Sequence, residues 1–312
     1  MIKFFKRLLL GSVFLAWGIA AHAAPDSVAL VLSDDSGPYQ EFSNRFRAAL
    51  DGRSIRVSVL NASKLASSGG VSLGDADMVI PVGVRATEAT FQSGTTVPVL
   101  SALLPRTAYA ALKKEVGPRE RAFSAIYLDQ PLSRRFALIH EALPDRKKVG
   151  VVLGPESASE LRALQAAARD KGMSLAAERI VEPDDLLPAL KRVLMDSEVL
   201  LAVPDAKVFS RQTAQSILLT SYRAQNPLIA YSQSYVSAGA LTAVHSTPAQ
   251  LAQQAAELVL KLAKSSSGTL PAPQYPKYFS VSVNAQVARS MGIAVADEAT
   301  LHERLMAAEG RE

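Results

Sequence analysis

The chain has 312 residues, no cysteine, four histidines and a formal charge of +5, with 48% hydrophobic and 20% charged residues. That balance supports one large folded domain or two of ordinary size, and the missing thiol excludes disulfides, cysteine nucleophiles and thiolate metal sites. Three of the positive charges, Lys3, Lys6 and Arg7, crowd the N-terminus, and the remainder forms no basic stripe of the kind that neutralises a phosphate backbone, so nucleic acid is not an expected partner.

Those three cations precede an uncharged apolar run from Leu8 to Ala21, and Ala21-His22-Ala23 has the small–x–small pattern of a signal-peptidase site. Residues 1–23 therefore read as a signal peptide cleaved after Ala23, which places the mature chain outside the cytoplasm. The run is shorter than the roughly 20 residues that span a bilayer, which leaves a retained anchor as the weaker reading. No cysteine follows it, so a lipoprotein is not expected.

Beyond the leader, short apolar runs alternate with amphipathic segments. Val28–Leu32 reads as a strand, Ser33–Gly37 as a turn and Pro38–Leu50 as a helix with Phe42, Phe46 and Ala49 on one face. Strands follow at Ile55–Leu60, Met78–Val82, Val97–Leu100 and Ala122–Leu128, with a short helix over Arg85–Gln92. The alternation then restarts. Helices are expected over Leu132–Leu143, Ser157–Lys171, Leu186–Met195 and Ser210–Arg223, and strands over Val149–Leu153, Leu175–Ile180, Val199–Val203 and Leu228–Tyr231. A long helix over Thr247–Ala263, a loop through Ser265–Thr269, a strand over Tyr278–Val283 and a last helix over Ala285–Met291 complete the chain. Strands alternating with helices imply parallel sheets covered on both faces, and this many units exceed one sheet, so the expected class is α/β with two doubly wound parallel-sheet lobes.

Ligands of open α/β sheets bind beyond the carboxyl ends of the strands. That rule nominates Ser33, Asp34 and Ser36 after the first strand, Arg85 after the third, Ser101 after the fourth, and Tyr127, Asp129 and Gln130 at the fifth. The second lobe contributes Asp205, Ser232 and Gln233. Each has a plainer alternative: Asp and Ser also favour turns and helix N-caps for purely local hydrogen bonds. The three histidines outside the leader, His140, His245 and His302, lie far apart, so no metal site is expected. Gly-x-Ser-x-Gly, the phosphate loop and Gly-x-Gly-x-x-Gly after a strand are all missing, and adjacent Asp34 and Asp35 point opposite ways in an extended stretch. No enzyme and no cofactor are expected; a hydrolase built on Asp34 or Asp35 needs a further carboxylate or metal.

Leu143-Pro-Asp-Arg-Lys-Lys-Val-Gly-Val-Val-Leu-Gly154, Tyr235-Val-Ser-Ala-Gly-Ala-Leu241 with the helix Ala252–Leu262, and Phe279-Ser-Val-Ser-Val-Asn284 followed by Ala288-Arg-Ser-Met-Gly-Ile293 resemble the periplasmic substrate-binding proteins of ABC transporters. The resemblance is to the type I two-lobe fold, in the branch that includes tryptophan- and tyrosine-uptake proteins. It implies a multi-strand hinge with crossings near Tyr127, Gly239 and Lys277, so that 24–127 with 239–276 forms one lobe and 128–238 with 277–312 the other. It implies a small-molecule ligand, an amino acid or another carboxylate, delivered to an ABC-type permease; a sensory or adaptor role on the same fold is the alternative. Two departures stand out. Gly83-Val84-Arg85-Ala86 replaces a Thr-Pro-type turn, and Ser101-Ala-Leu-Leu-Pro-Arg106 replaces an Asp-containing loop, so Arg85 with Arg106 favours an anionic ligand over an aromatic amino acid.

Overall fold

The computed structural model describes residues 25–66, 73, 76–117, 123–265 and 269–310. The expected leader at 1–23, the expected strand residue Ala122 and residues 266–268 of the expected loop lie outside the described residues. The first lobe runs β1 (Ser27–Leu32), α1 (Gly37–Leu50), β2 (Arg56–Asn61), α2 (Ala62–Ala66), β3 (Met78–Val82), α3 (Val84–Gln92), β4 (Val99–Leu104), α4 (Arg106–Val116) and β5 (Phe123–Tyr127). Its five strands are all parallel, in the order β2-β1-β3-β4-β5.

The second lobe runs α5 (Leu132–Ala142), β6 (Lys148–Leu153), α6 (Leu161–Asp170), β7 (Ser174–Arg179), α7 (Leu186–Met195), β8 (Val199–Leu201), α8 (Ala214–Arg223), β9 (Leu228–Ala230), α9 (Gln233–Ala238) and β10 (Thr242–His245). The chain then returns to the first lobe as α10 (Pro248–Ala263), and ends in the second with β11 (Ser280–Val283), α11 (Ala285–Ser290) and α12 (Glu298–Glu309). The second sheet has the order β11-β10-β9-β8-β6-β7, parallel except for β11 against β10.

Burial on both faces explains the near-continuous apolar strands. Side chains alternate along a strand, so Val28, Leu30 and Leu32 of β1 meet Phe42 and Phe46 of α1 and Leu251, Ala255 and Val259 of α10. Ala29 and Val31 face the other way, onto Ala86 and Ala89 of α3. In β6, Val149, Val151 and Leu153 pack with Phe136, Leu164, Leu301 and Leu305, while Val152 joins Leu190, Val193 and Ile217 on the opposite face. Each buried Val, Leu, Ile or Phe among them contributes roughly 1.5–3 kcal/mol, so each sheet holds its lobe from both sides.

Three differences from the sequence reading concern chain path. Gly239, expected at a crossing, ends α9 with a φ of 128°, and β10 after it belongs to the second sheet; the chain leaves that sheet only beyond His245. The four residues of β10 are too few to show periodicity. A helix, α12, follows the one expected to be last and packs Leu301 and Leu305 into the second core. α2, α4 and α9 are further additions to the expected elements, with Tyr109, Leu112 and Val116 marking the apolar face of α4.

Candidate functional site

All five strands of the first sheet are parallel, so the loops after β1, β3, β4 and β5 share one edge. The segments after β8, β9 and β10 share an edge of the second sheet. Between the two lies a cavity of about 420 Å³. Pro105, Leu128, Asp129 and Gln130 line it from the ends of β4 and β5, and Glu41 from α1. Pro204, Tyr231, Ser232 and Gln233 line it from the ends of β8 and β9. The β10–α10 passage, Val244 to Pro248, closes it, together with Arg135 of α5. Such a volume suits a small organic solute.

Local structure aims these groups. β4 carries a register shift between Ser101 and Leu104, with Leu103 at a φ of 52°, and this irregularity turns the chain into Pro105. Ser232 caps α9, its Oγ accepting from the Tyr235 N–H at 3.3 Å. Thr247 caps α10 in a reciprocal box with Gln250. Asp129 caps α4 from outside it: its carboxylate accepts from the Arg106 N–H at 2.6 Å. The Arg106 guanidinium then reaches the opposite lobe, 2.9 Å from Glu160. Burial works against its charge, but Glu160, helped by Tyr275 and Asp129, more than offsets this and holds the guanidinium above the usual arginine range.

The three chain crossings are tied to one another beside the cavity. Gln130 donates to Ser246 Oγ at 2.8 Å, and Ser246 donates to the Tyr278 carbonyl at 2.6 Å. Buried Arg134 donates to Gln130 Oε1 and to the Pro276 carbonyl, forks onto Glu309 of α12 and stacks over the Phe279 ring.

Of the residues nominated from sequence, Asp129, Gln130, Ser232 and Gln233 come together at the cavity. Three others are consumed inside the lobes. Ser33 Oγ donates to the Val82 carbonyl and accepts from the Ala86 N–H, so it caps α3 from the neighbouring strand. Ser101 is fully buried against Thr87 Oγ1. Asp205 accepts from the N–H and hydroxyl of Ser157, both at 2.9 Å, and from the Lys207 N–H. Ser33 and Asp205 do follow strand ends, but Ser101 lies inside β4, which runs on to Leu104 rather than ending at Leu100; the strand-end rule cannot tell a ligand contact from a brace. Asp34, Ser36 and Arg85 stand at the same edge without lining the cavity. Asp34 accepts from the Ser36 N–H at 2.8 Å. The Ser36 hydroxyl and N–H, with the nearby Arg85 charge, keep its carboxyl below the ordinary value. Tyr127 packs edge-on against Tyr109 and Tyr275, and burial pushes its phenol up to about 12.

Arg135, His245 and Thr247 were not nominated. Arg135 had one signal, the pair Arg134-Arg135 inside an otherwise apolar helix, where a solvated stripe would space its charges by three or four. Its guanidinium is buried, donates to the Ala202 carbonyl, and has an Nε with no hydrogen-bond partner among the described residues. Burial pushes it below the usual arginine range.

A family profile described as ABC transporter substrate binding protein matches residues 60–304. The chain belongs to this family. No curated protein matches it significantly. This substrate-binding protein shares its fold with a ligand-free, open substrate-binding protein with adhesive properties from Clostridium difficile, at 17% identity and a TM-score of 0.68 over 87% of this chain and 96% of that one. An ABC domain in complex with L-Trp from Streptococcus pneumoniae matches at 12% identity and a TM-score of 0.60, over 89% and 97%. A periplasmic ribose ABC transporter protein from Conexibacter woesei matches at 15% identity and 0.51, over 92% and 99%. The architecture is the type I periplasmic-binding fold.

Proposed function

We propose that this substrate-binding protein is exported to the periplasm, captures a small solute between its lobes and delivers it to an ABC-type permease, without catalysing a reaction. The observation that carries the reading is the cavity itself, walled by strand-end loops of both sheets and closed by the chain passages that join them. A solute seated there touches both lobes at once, so binding favours the closed arrangement. Asp129, Ser232 and Gln233 make polar contacts to it, and Gln130 acts on it through the crossings. Asp34, Ser36 and Arg85 reach a solute that extends along the first lobe's edge. The L-Trp bound by the Streptococcus relative and the mixed polar and apolar wall support an amino acid or another carboxylate as ligand. Among the described residues no helix is long and apolar enough to cross a membrane, and the leader-like N-terminus supports export.

Protein recovered from the periplasmic fraction, with Ala24 expected as its first residue by N-terminal sequencing, is the material to test. A library of amino acids, carboxylates, sugars and nucleosides is expected to contain a member that raises its melting temperature, because a ligand of the folded state stabilises it by RT ln(1 + [L]/Kd). A flat response across the library counts against solute binding.

A further inference from the structure

We propose that Arg135 is the charge anchor of this cavity and that the solute carries a carboxylate seated against its guanidinium. The inference rests on the solute-binding reading and its carboxylate ligand, and assigns the residue that reads that carboxylate. Arg135 is 5% exposed yet lines the cavity. Its only described hydrogen bond goes to the Ala202 carbonyl, and its Nε is buried without an acceptor. The two carboxylates whose charges act on it are engaged elsewhere: Glu160 pairs with the Arg106 side chain, and Asp129 accepts from the Arg106 N–H. Among the described residues no carboxylate lies within ion-pair distance of Arg135. A buried cation without a counterion is costly unless an anion arrives to pair with it, and a planar guanidinium matches a carboxylate in two-point geometry. The rest of the wall fixes the solute's other end. Pro105, Leu128, Pro204, Tyr231 and Val244 offer apolar surface, which suits a compact hydrocarbon or aromatic body rather than a polyhydroxylated one.

The test compares acids with their neutral twins on the intact mature protein: 3-phenylpropionate against 3-phenylpropionamide, and L-tryptophan against L-tryptophanamide, by calorimetry and thermal shift. At least one acid is expected to bind, with its amide weaker by about 10- to 100-fold, the loss expected for a hydrogen bond to a charged group. Arg135→Gln is expected to lose binding of that acid by a similar factor, and Arg135→Lys to restore part of it. Binding by the plain acid shows that the carboxylate suffices; binding by the amino acid alone shows that an ammonium is also read, and both outcomes support the anchor. Acid and amide binding alike, or Arg135→Gln binding as the parent does, overturns it. If neutral sugars or nucleosides stabilise the protein and no acid does, the anchor falls while solute binding stands. If nothing does, both fall. The acid–amide comparison needs no variant, so it decides even if Arg135→Gln fails to fold.

Discussion

His245 sits on the cavity wall with its ring buried and Nε2 2.9 Å from Ser282 Oγ. Burial disfavours the imidazolium and pulls its pKa below the ordinary value of 6.5, against a smaller opposing effect from Glu298. The unfolded chain therefore takes up a proton at a pH where the folded protein does not. Stability contributed by neutral His245 is present above about pH 6.5 and is lost as pH falls below it. Melting curves between about pH 7.5 and 5.5 are expected to show this loss, and His245→Asn to flatten it. The Asp77 carboxyl, depressed mainly by its Ser27 hydrogen bond, acts only near and below its ordinary 3.8, so the two windows separate. Little at this scale was legible in sequence. His245 looked like one isolated histidine, and Ser33, Ser101 and Asp205 looked like site residues, because residue type and strand position do not reveal which partner fills a hydrogen bond.

Helix termini show the same division at the next scale. α3 begins at Gly83, which has no side chain to cap it, and Ser33 supplies the missing acceptor from β1. A Cβ on Gly83 would lie 2.6 Å from Ser33 Oγ and 2.9 Å from the Tyr39 ring, at a φ of 92° that L-residues rarely adopt. Gly83→Ala is therefore expected to cost about 1–3 kcal/mol in urea unfolding, whereas Gly94→Ala, with open space around it, pays only the conformational cost at its φ of 74° and should lose less. Elements with a long apolar period, such as α1, α5 and α10, were readable because burial of one face writes a 3.6-residue repeat into the chain. β10 was not, since its four residues owe their strand conformation to β9 and β11 on either side.

Across the whole molecule, two features govern how the lobes sit. The passages at 128–131, 246–247 and 276–278 are stitched together through Gln130, Ser246 and Arg134, which makes one hinge of three strands of chain. Beside the first of these passages, where the Arg106 N–H bonds Asp129, the Arg106 and Glu160 side chains join the lobes directly. With Arg106 a third exposed and Glu160 nearly buried, the pair is worth about 1 kcal/mol. A double-mutant cycle between Arg106→Ala and Glu160→Ala is expected to give a coupling of that size in thermal unfolding. Small-angle scattering of either single variant should report a larger radius of gyration than the parent. A coupling of zero with unchanged dimensions would show that the bridge does not hold the lobes together.

Apolar periodicity and punctuation by Gly and Pro were enough to establish a two-lobe α/β protein, because both faces of each sheet must be buried and that demand leaves a mark at every strand. Which lobe receives Thr242–His245 and Pro248–Ala263, which polar groups become braces, and that Arg135 loses its solvent without gaining a counterion among the described residues were decided only in three dimensions. Each depends on partners that lie beyond the reach of a helical or strand repeat, from 14 residues for Ser101 with Thr87 to 208 for Arg45 of α1 with Gln253 of α10, and short-range pattern carries no record of such contacts.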